Sequence, residues 1–437
     1  MIDRKQEIQQ EERAIIVGVV TKSQTELQVQ EYLDELAFLA ETAGAVTIKR
    51  FVQKLAHPDS KTFVGKGKLQ EIKKYVEEKD ISLIIFDDEL TGSQIMNIEK
   101  ELGIYTIDRS DLILDIFAQR ARTFEGKLQV ELAQLQHLAS RLVRGWDSLD
   151  RQKGGIGLRG PGETQLETDR RLLRERVKAL QAKLAKLETQ RQQGRRARQR
   201  AEVPVVSVVG YTNAGKSTLF NRLTNAGVYA ADQLFATLDP TLRQLKLKGV
   251  GDIILADTVG FIRHLPHDLV AAFKSTLQET RDADLQLHVV DVADPRKDHN
   301  MQQVAEVLSE IDADQLPQLL VFNKIDLLQQ PARIEYNEAG LPSAVYVSAM
   351  SGAGLELLQQ AISALLSERY IDVAIKLPPA LSSWRAHFHQ QHCIVTEQFD
   401  DEGNCALKLR LSEAAWLKAL KQSQGKLENY IVSTPVI

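Results

Sequence analysis

The chain has 437 residues, a length that suggests about three domains of ~150 residues each. Its net charge of −4 does not by itself suggest that the protein binds nucleic acid. Hydrophobic residues make up 43% and charged residues 26%, which excludes wholesale disorder, and Cys393 and Cys405 form no CxxC pattern that would indicate structural zinc. The polar N-terminus is no signal peptide, and no apolar run approaches the ~20 residues that cross a bilayer. We therefore expect a soluble, cytoplasmic protein without a transmembrane segment. We also expect it to be a monomer.

The first 110 residues alternate apolar, β-rich runs with helical patterns, which predicts a small parallel α/β domain. The loop Thr62–Lys68 carries two glycines and two lysines that could approach a phosphate, although a surface turn is the simpler explanation. The predicted strands are Ile15–Val20, Val46–Phe51, Ile81–Phe86 and Ile104–Ile107. The predicted helices are Glu26–Glu41, Lys68–Glu78 and Ser93–Leu102.

Residues 111–200 carry two apolar stripes with the spacing of coiled-coil helices. Six glycines fall within Gly145–Gly162, a stretch that we expect no helix to cross. The simplest arrangement is a long antiparallel helical hairpin with a glycine-rich tip. The first stripe is Leu128, Leu132, Leu135, Leu138 and Leu142, and the second is Leu166, Leu173, Val177, Leu180, Leu184 and Leu187.

The predicted hairpin also concentrates positive charge. Residues 141–200 hold 17 lysines and arginines against 7 aspartates and glutamates, a net charge of +10 that leaves −14 for the rest of the chain. A solvated helix face is the ordinary explanation of a charged run, but an excess of one sign that is rich in arginine suits a phosphate backbone. We therefore expect contacts with RNA, for which Arg170, Arg171 and Arg174 are candidates.

Residues 201–370 return to strand–helix alternation and contain a phosphate-binding motif. The buried strand Val203–Val209 runs into Gly210–Ser217, which reads G-x-x-x-x-G-K-S, and the helix Thr218–Leu223 follows. Glycines let backbone amides wrap phosphates, and the helix N-terminus adds a positive dipole. We expect Lys216 to reach the β- and γ-phosphates and Ser217 to bind Mg²⁺. The predicted phosphate contacts are Gly210, Tyr211, Thr212, Asn213, Ala214, Gly215, Lys216, Ser217 and Thr218.

A second motif, Asn323–Asp326 (NKID), selects the base. The Asp326 carboxylate can accept both the N1–H and the 2-amino group of guanine, whereas adenine presents an acceptor at N1. The Lys324 stem can cover the base, Asn323 can tie the base loop to the phosphate loop, and the backbone of Ser348–Ala349 could meet the guanine O6. The predicted base contacts are Asn323, Lys324, Ile325, Asp326, Ser348, Ala349 and Met350.

A third motif, Asp257–Gly260 (DTVG), follows the strand Ile253–Ala256. Its carboxylate can hold a Mg²⁺-bound water, and the Gly260 amide can contact the γ-phosphate. A threonine between the phosphate loop and this motif should complete the Mg²⁺ shell; we choose Thr237, with Thr241 as its rival. The predicted nucleotide contacts of these two segments are Phe235, Ala236, Thr237, Asp257, Thr258, Val259 and Gly260.

Together, GYTNAGKS, FATLDPT, DTVGF, NKID and SA resemble the motifs of translation-factor-related GTPases. With GGIGLRGPGETQLETDRR between two long helices, nearly the whole chain is similar to the HflX family. The resemblance implies hydrolysis of GTP to GDP and phosphate, binding to the large (50S) ribosomal subunit, and separation of stalled or idle ribosomes into subunits. It also implies that the tip, Gly154–Glu163, reaches toward the peptidyl-transferase region and its rRNA, with Arg151, Lys153 and Arg159 as candidate RNA contacts.

The residue after Gly260 is Phe261, where Ras-like enzymes carry a glutamine that orients the attacking water. Because phenylalanine cannot bind water, we expect slow intrinsic hydrolysis, and the resemblance suggests that the ribosome stimulates it. A second hypothesis is a K⁺ ion held by Asn213 in the phosphate loop. The predicted catalytic groups are Lys216, Gly260 and Asn213.

The sequence thus predicts an α/β multidomain protein with a P-loop GTPase domain at residues 201–370. A small parallel α/β domain (1–110) and a basic helical hairpin (111–200) precede it, and a small α/β domain (371–437) follows it. A nucleotide-regulated rRNA-binding or ribosome-assembly factor is one alternative, and a signalling GTPase with a coiled-coil partner is another; neither would split ribosomes. Arg263, His264 and His267 follow the DTVG motif and are expected to be solvated.

Overall fold

The computed structural model describes residues 12–150, 161–200, 203–224, 234–235, 241–248, 250–263, 274–367, 370–390, 393–400, 403–423 and 425–433. These residues form three β-sheets with their helices. A pair of long helices lies between the first two sheets in chain order. Within these ranges, no helix combines the length and the apolar character needed to cross a membrane.

The first sheet has four parallel strands: β1 (Glu12–Val20), β2 (Ala45–Lys54), β3 (Leu83–Phe86) and β4 (Tyr105–Asp108). Its helices are α1 (Glu26–Ala43), α2 (Lys66–Lys79), α3 (Gly92–Leu102) and α4 (Arg109–Arg120). The strand order is β2-β1-β3-β4, which places β1 inside the sheet, where its continuous apolar run is buried. The predicted strands and helices of this region coincide with these elements to within a few residues.

Local signals in the sequence set the ends of two of these helices. Thr25 caps α1 and Thr91 caps α3, each in a reciprocal pair with a glutamine three residues later, Gln28 and Gln94. Helix α1 ends at Gly44, whose φ of 99° lies in the left-handed region that favours glycine. These caps fix how the helices leave the sheet.

Helix α4 (Arg109–Arg120) crosses the domain boundary that was expected at residue 110. Its apolar run Leu112–Phe117 (LILDIF) shows no clear helical period, yet its apolar side chains are buried in the same core as those of α1. Asp108 caps the helix by accepting a hydrogen bond from the Asp111 amide (3.0 Å). The core of the first domain therefore includes residues up to the end of α4.

Two long helices follow, α5 (Phe124–Asp150) and α6 (Pro161–Arg200). Helix α5 extends through Gly145 to Asp150 and α6 contains Gly162, so both helices reach further into the glycine-rich stretch than its composition suggests, and neither crosses it within the described residues. A single glycine costs a helix only ~1 kcal/mol, and Pro161 is tolerated in the first turn. The predicted tip residues 151–160 lie outside the described ranges.

The two helices contact each other through the predicted stripes. Arg176 of α6 also donates a hydrogen bond to Glu131 of α5 (2.8 Å). Leu138, which belongs to the first predicted stripe, is 48% exposed, so it does not take part in this packing. The packed residues are Leu128, Leu132, Leu135, Val177, Leu180, Leu184 and Leu187.

The second sheet has seven strands in the order β10-β11-β9-β8-β5-β7-β6. They are β5 (Val205–Gly210), β6 (Thr241–Leu247), β7 (Gly251–Asp257), β8 (Leu285–Asp291), β9 (Gln318–Asn323), β10 (Arg333–Tyr336) and β11 (Pro342–Tyr346). Its helices are α7 (Lys216–Thr224), α8 (Lys274–Arg281), α9 (Lys297–Glu310) and α10 (Leu355–Ser367). The five inner strands are parallel, so their carboxyl ends, which all three predicted motifs follow, meet at one edge of the sheet.

The third sheet is small and antiparallel, with the order β13-β14-β12-β15. Its elements are β12 (Tyr370–Leu377), α11 (Ser382–Gln390), β13 (Ile394–Phe399), β14 (Cys405–Ser412), α12 (Glu413–Gln422) and β15 (Ile431–Ser433). Cys393 and Cys405 are both buried in its core.

The first domain packs directly on loops of the seven-stranded domain. The Phe117 ring of α4 contacts the Phe235 ring edge to face, with the centroids 4.6 Å apart. Leu234, Val259 and Ile262 enter the same apolar core. Residues from both segments that flank the predicted nucleotide site are thus buried against the first domain.

A network of charged side chains lies beside this apolar contact. Arg263 Nη2 donates to both oxygens of Asp87 (3.0 and 2.9 Å), and its guanidinium stacks on the Tyr32 ring at 3.5 Å. Arg109 pairs with Asp87 (3.1 Å) and Glu35, and it donates to the Arg263 carbonyl oxygen (3.2 Å). Only 4% of Arg263 is exposed, so the expectation that it is solvated is wrong, because the first domain covers it.

The phosphate loop joins the same network through Tyr211. Its hydroxyl donates to Glu35 (2.6 Å) and accepts from the backbone N–H of Arg263 (2.9 Å). Burial, reinforced by the Glu35 carboxylate, raises the pKa of Tyr211, so its hydroxyl stays protonated and remains a donor. Burial also raises the pKa of Asp88, next to Asp87, to about 6.

Replacing Asp87 with alanine should loosen the contact between the two domains. The change leaves two buried guanidinium groups with one carboxylate fewer, and removing one partner of a buried ion pair costs about 3–5 kcal/mol. Hydrogen exchange at residues 109–117 and 259–263 measures the free energy of local opening. We expect it to fall by roughly 3 kcal/mol, which is about a hundredfold loss of protection.

Asp34→Ala is the matched control, because Asp34 pairs with Arg50 on the surface, where the two side chains are 62% and 40% exposed. An exposed pair contributes about 0–1 kcal/mol, so the protection of these segments should hardly change. Equal losses in the two variants would contradict the importance of the buried network.

Candidate functional site

The phosphate loop connects the buried end of β5 to the first turn of α7. Gly215 has a φ of 90°, and a Cβ there would collide with the side-chain amide of Asn323. Only glycine therefore lets the loop turn this close to the end of β9. The exposed Asn213 has a φ of 60°, a conformation that asparagine tolerates better than most residues.

Lys216 lies across this loop as a buried ammonium group. Its Nζ donates to the Tyr211 carbonyl oxygen (2.7 Å), and the residue is 6% exposed. Burial lowers the pKa of Lys216 to about 8, and the nearby Asp257 carboxylate opposes that shift. A phosphate beside Nζ would supply the missing negative charge, which is the role the motif predicts.

Gly260 closes the other side of the loop. A Cβ at Gly260 would lie 2.9 Å from the Thr212 methyl group and 3.0 Å from Lys216 Nζ, too close for any other residue without a shift. The absence of a side chain leaves the Gly260 backbone next to the lysine. The predicted catalytic groups Lys216 and Gly260 are thus neighbours.

Phe261 is fixed to the phosphate loop by two backbone hydrogen bonds. Its N–H donates to the Gly210 carbonyl oxygen (3.1 Å), and its own carbonyl oxygen accepts from the Thr212 N–H (2.7 Å). The Phe261 ring is 1% exposed and packs in an apolar cluster with Val209. The side chain at this position therefore points into a core and offers no polar group to a water molecule.

Ser217 and Asp257 provide oxygen atoms at the start of α7 and the end of β7. The Ser217 hydroxyl donates to Asp257 Oδ2 at 3.0 Å, and the carboxylate is fully buried. Hydroxyl and carboxylate oxygens are the ligands that Mg²⁺ prefers, so this pair fits the metal that GTPases generally use. Ser217 would bind it directly and Asp257 through water.

The third predicted metal ligand is not placed by the structure, because Thr237 and its neighbour Ala236 lie outside the described residues. Its rival Thr241 begins β6 and is paired with Asp257 across the antiparallel ladder. The Phe235 side chain packs on Phe117, so only its backbone remains for the predicted nucleotide contact.

Asn323 joins the base-binding end of the site to the phosphate end. Its Nδ2 donates to the Ala214 carbonyl oxygen (2.9 Å), and its Oδ1 accepts from the Ala349 N–H (2.9 Å). Lys324 pairs with Asp291 at 2.8 Å, and Asp326 is exposed, so its carboxylate is accessible to a base. These contacts bring the predicted motifs to one place.

The backbone of the Ser348–Met350 loop departs from the expectation in one respect. The backbone of Ser348–Ala349 was a candidate to meet the guanine O6, and the Ala349 N–H of this segment is held by Asn323. Ser348 is occupied by the turn itself, since its hydroxyl accepts from the Ser351 N–H (3.1 Å). Within the described residues, the Met350 N–H has no hydrogen-bond acceptor, so it is the amide of this loop left for a ligand.

Two arginines near the site have no signal in the sequence. Arg263 and its partner Asp87 are 176 residues apart, and no local pattern connects them. Arg222, on α7, donates to the carbonyl oxygens of Ala349 (3.1 Å) and Met350 (2.7 Å). Neither contact follows from a motif, because each is made between segments that are remote in the chain.

The predicted RNA contacts are only partly described. Arg171 and Arg174 are exposed on α6, and Arg170 is half-buried. The residues at the predicted tip, Arg151, Lys153 and Arg159, lie outside the described ranges, as do His264 and His267.

Three family models match successive parts of the chain. Residues 30–118 match the family described as GTP-binding GTPase N-terminal, and residues 120–198 match GTP-binding GTPase Middle Region. Residues 205–324, which contain the phosphate loop and the DTVG motif and end within the NKID motif, match 50S ribosome-binding GTPase.

Known proteins resemble the chain over most of its length. The GTPase HflX of Escherichia coli (strain K12) is 52% identical over 421 residues, which are 96% of this chain and 98% of that protein. The GTPase HflX of Caldanaerobacter subterraneus subsp. tengcongensis is 47% identical over 407 residues, 92% of this chain and 93% of that protein.

Among solved structures, a GTP-binding protein from the archaeon Sulfolobus solfataricus in complex with GDP is 25% identical to the chain. The similarity covers 81% of this chain and 99% of that one, with a TM-score of 0.43. On its relatives and its family models, the chain belongs to the HflX family of GTPases, which hydrolyse GTP.

Proposed function

We propose that this GTPase binds the large ribosomal subunit in its GTP-bound state and separates stalled or idle ribosomes into subunits. The description of the family model matched by residues 205–324 supports the partner. The net charge of +10 on residues 141–200 supports contact with rRNA, including contacts by Arg170, Arg171 and Arg174 and, at the tip, by Arg151, Lys153 and Arg159.

The observation that carries the switch is that two groups of ion pairs, one reaching the nucleotide loops and one reaching α5, meet at the start of α4. Arg109, the first residue of α4, binds the Arg263 carbonyl oxygen. Beside it, Asp108 and Asp111 both pair with Arg141 of α5, with 2.6 Å between Arg141 Nη1 and Asp111 Oδ2. A shift of Arg263 when the nucleotide changes therefore reaches the helix that leads to the glycine-rich tip.

Hydrolysis in this site depends on positioning and electrostatics. Lys216 and the amides of the phosphate loop and of Gly260 stabilise the charge on the transferred phosphoryl group. A Mg²⁺ ion held by Ser217, Thr237 and, through water, Asp257 supplies further charge neutralisation when bound. Because the Phe261 ring is buried, the intrinsic rate is slow, and contact with the ribosome or a K⁺ ion at Asn213 must order the attacking water.

The exposed arginines of α6 also fit a second function, that of an rRNA-binding factor whose docking the nucleotide only regulates. Such a factor would bind the ribosome in a nucleotide-dependent way without separating its subunits. A signalling GTPase with a protein partner, in contrast, predicts no salt-dependent affinity for RNA.

Sedimentation with ribosomes tests the proposed function. Loaded with a non-hydrolysable GTP analogue, the protein should co-migrate with large subunits and convert 70S ribosomes to subunits; with GDP it should do neither. Binding should weaken steeply as salt rises, since each phosphate contact releases counterions. Lys216→Ala should abolish the difference between nucleotides.

Equal co-migration with GDP and with the analogue would refute the switch. Binding without any subunit separation, in either nucleotide state, would favour the assembly or docking function over splitting.

Asp326→Asn should shift the base preference from guanine to xanthine, because the amide exchanges an acceptor for a donor. An unmade hydrogen bond to a charged group costs ~1–3 kcal/mol, so GDP binding should weaken roughly tenfold to hundredfold while binding of xanthosine diphosphate improves. Titration with fluorescent nucleotides measures both. Asp314→Asn, an exposed aspartate just before β9, is the control of equal charge change; unchanged GDP affinity in Asp326→Asn would refute the assigned role.

A K⁺ ion at Asn213 would make the hydrolysis rate depend on the monovalent cation. At constant ionic strength, we expect single-turnover hydrolysis to be several-fold faster in KCl than in NaCl, and Asn213→Ala should remove the difference. The same rate in both salts would exclude the cation and leave the ribosome as the group that orders the water.

A further inference from the structure

Arg222 connects the phosphate-binding helix to the loop that meets the base. It lies on α7, about one and a half turns after Lys216 and Ser217, and its side chain reaches the Ser348–Met350 loop. Nε donates to the Ala349 carbonyl oxygen at 3.1 Å and Nη2 donates to the Met350 carbonyl oxygen at 2.7 Å. The planar guanidinium holds two successive peptide groups at once, with a fixed spacing and direction of donors that the rotating ammonium group of a lysine does not provide.

The first of these contacts fixes the direction of one amide. The carbonyl of Ala349 and the N–H of Met350 belong to the same peptide plane, and in a trans peptide they point in opposite directions. An arginine bound to the carbonyl oxygen therefore holds the Met350 N–H pointing away from Arg222. A charged donor on the carbonyl also polarises the peptide, which strengthens the N–H as a donor.

This amide is the one that the loop leaves available. The preceding N–H, of Ala349, is bound by Asn323 at 2.9 Å, and the following N–H, of Ser351, is bound by the Ser348 hydroxyl at 3.1 Å. Arg222 thus orients the one amide, of three in succession, that has no acceptor within the described part of the chain.

We propose that Arg222 is a positioning residue for guanine recognition: it aims the Met350 N–H at the O6 atom of the base. The inference rests on the proposed assignment of Asp326 to the N1 and 2-amino edge of guanine, which places O6 beside the Ser348–Met350 loop. Arg222 does not touch the nucleotide. It sets specificity through the peptide that it binds.

Three nucleotides separate positioning from general stabilisation of the loop. GDP offers O6, 6-thio-GDP replaces it with sulfur, a weaker acceptor, and IDP keeps O6 but lacks the 2-amino group that Asp326 accepts. Arg222→Gln in the full chain should weaken GDP and IDP binding by the same factor, roughly three- to tenfold. The preference for GDP over 6-thio-GDP should shrink by a similar factor, while the preference for GDP over IDP should stay unchanged.

Arg222→Lys keeps the positive charge but loses the fixed planar arrangement of donors, so it should fall between the wild type and the glutamine variant. It also keeps the test valid if Arg222→Gln is unstable. Arg281→Gln, an exposed arginine at the end of α8 that makes no contact with this loop, is the control and should behave as wild type. Circular dichroism and thermal melting establish that each variant is folded.

Two outcomes would overturn the proposal: GDP affinity that does not change in Arg222→Gln, or equal weakening of all three nucleotides, which would show that Arg222 only stabilises the loop. The underlying assignment is tested separately in the wild type. If the wild type does not prefer GDP to ADP, the guanine assignment itself fails, whatever the behaviour of Arg222.

Discussion

The pairing of Arg263 with Asp87 is the interaction on which the arrangement of the protein depends. Arg263 follows the DTVG motif, and its guanidinium is buried in the first domain between Asp87 and the Tyr32 ring. A buried arginine is tolerated only when carboxylates compensate its charge, so the loop can hold its position only while the first domain stays docked. With the Tyr211 hydroxyl bound to Glu35, both loops that flank the γ-phosphate position are anchored on another domain.

Within the seven-stranded domain, the side chains of Asn323 and Arg222 also connect loops of the site to each other, through hydrogen bonds to backbone atoms. Asn323 connects the phosphate loop to the Ser348–Met350 loop. Arg222 connects the Ser348–Met350 loop to α7, the helix that starts with Lys216. Both use a planar side-chain group whose hydrogen-bonding atoms have a fixed geometry: the amide of Asn323 both donates and accepts, and the guanidinium of Arg222 donates. This geometry restricts the direction of the peptides that they bind. The segments proposed to bind the two ends of the nucleotide are thus joined to each other by hydrogen bonds.

The sequence is informative wherever structure depends on neighbours in the chain. The phosphate loop and NKID each follow a strand of a parallel sheet, so their meeting at one edge was predictable. Helix α4 was not predicted, because a continuous apolar run hides the helical period. Arg263 was expected to be solvated. Its burial could not be predicted, because its partner Asp87 is 176 residues away in the sequence. Likewise, nothing in the local sequence shows that Asn323 takes the Ala349 amide.

The shared burial of Tyr211 and Arg263 has a consequence for how the two domains can vary. Suppose that either domain were exchanged for the equivalent domain of a distant relative, with every GTP motif intact. In the chimaera, the buried Arg263 guanidinium and Tyr211 phenol, or their counterparts, would meet a domain surface whose side chains are not complementary to them. We therefore expect the two domains to vary together, so that a substitution at Glu35 or Asp87 on one of them is accompanied by a matching change on the other.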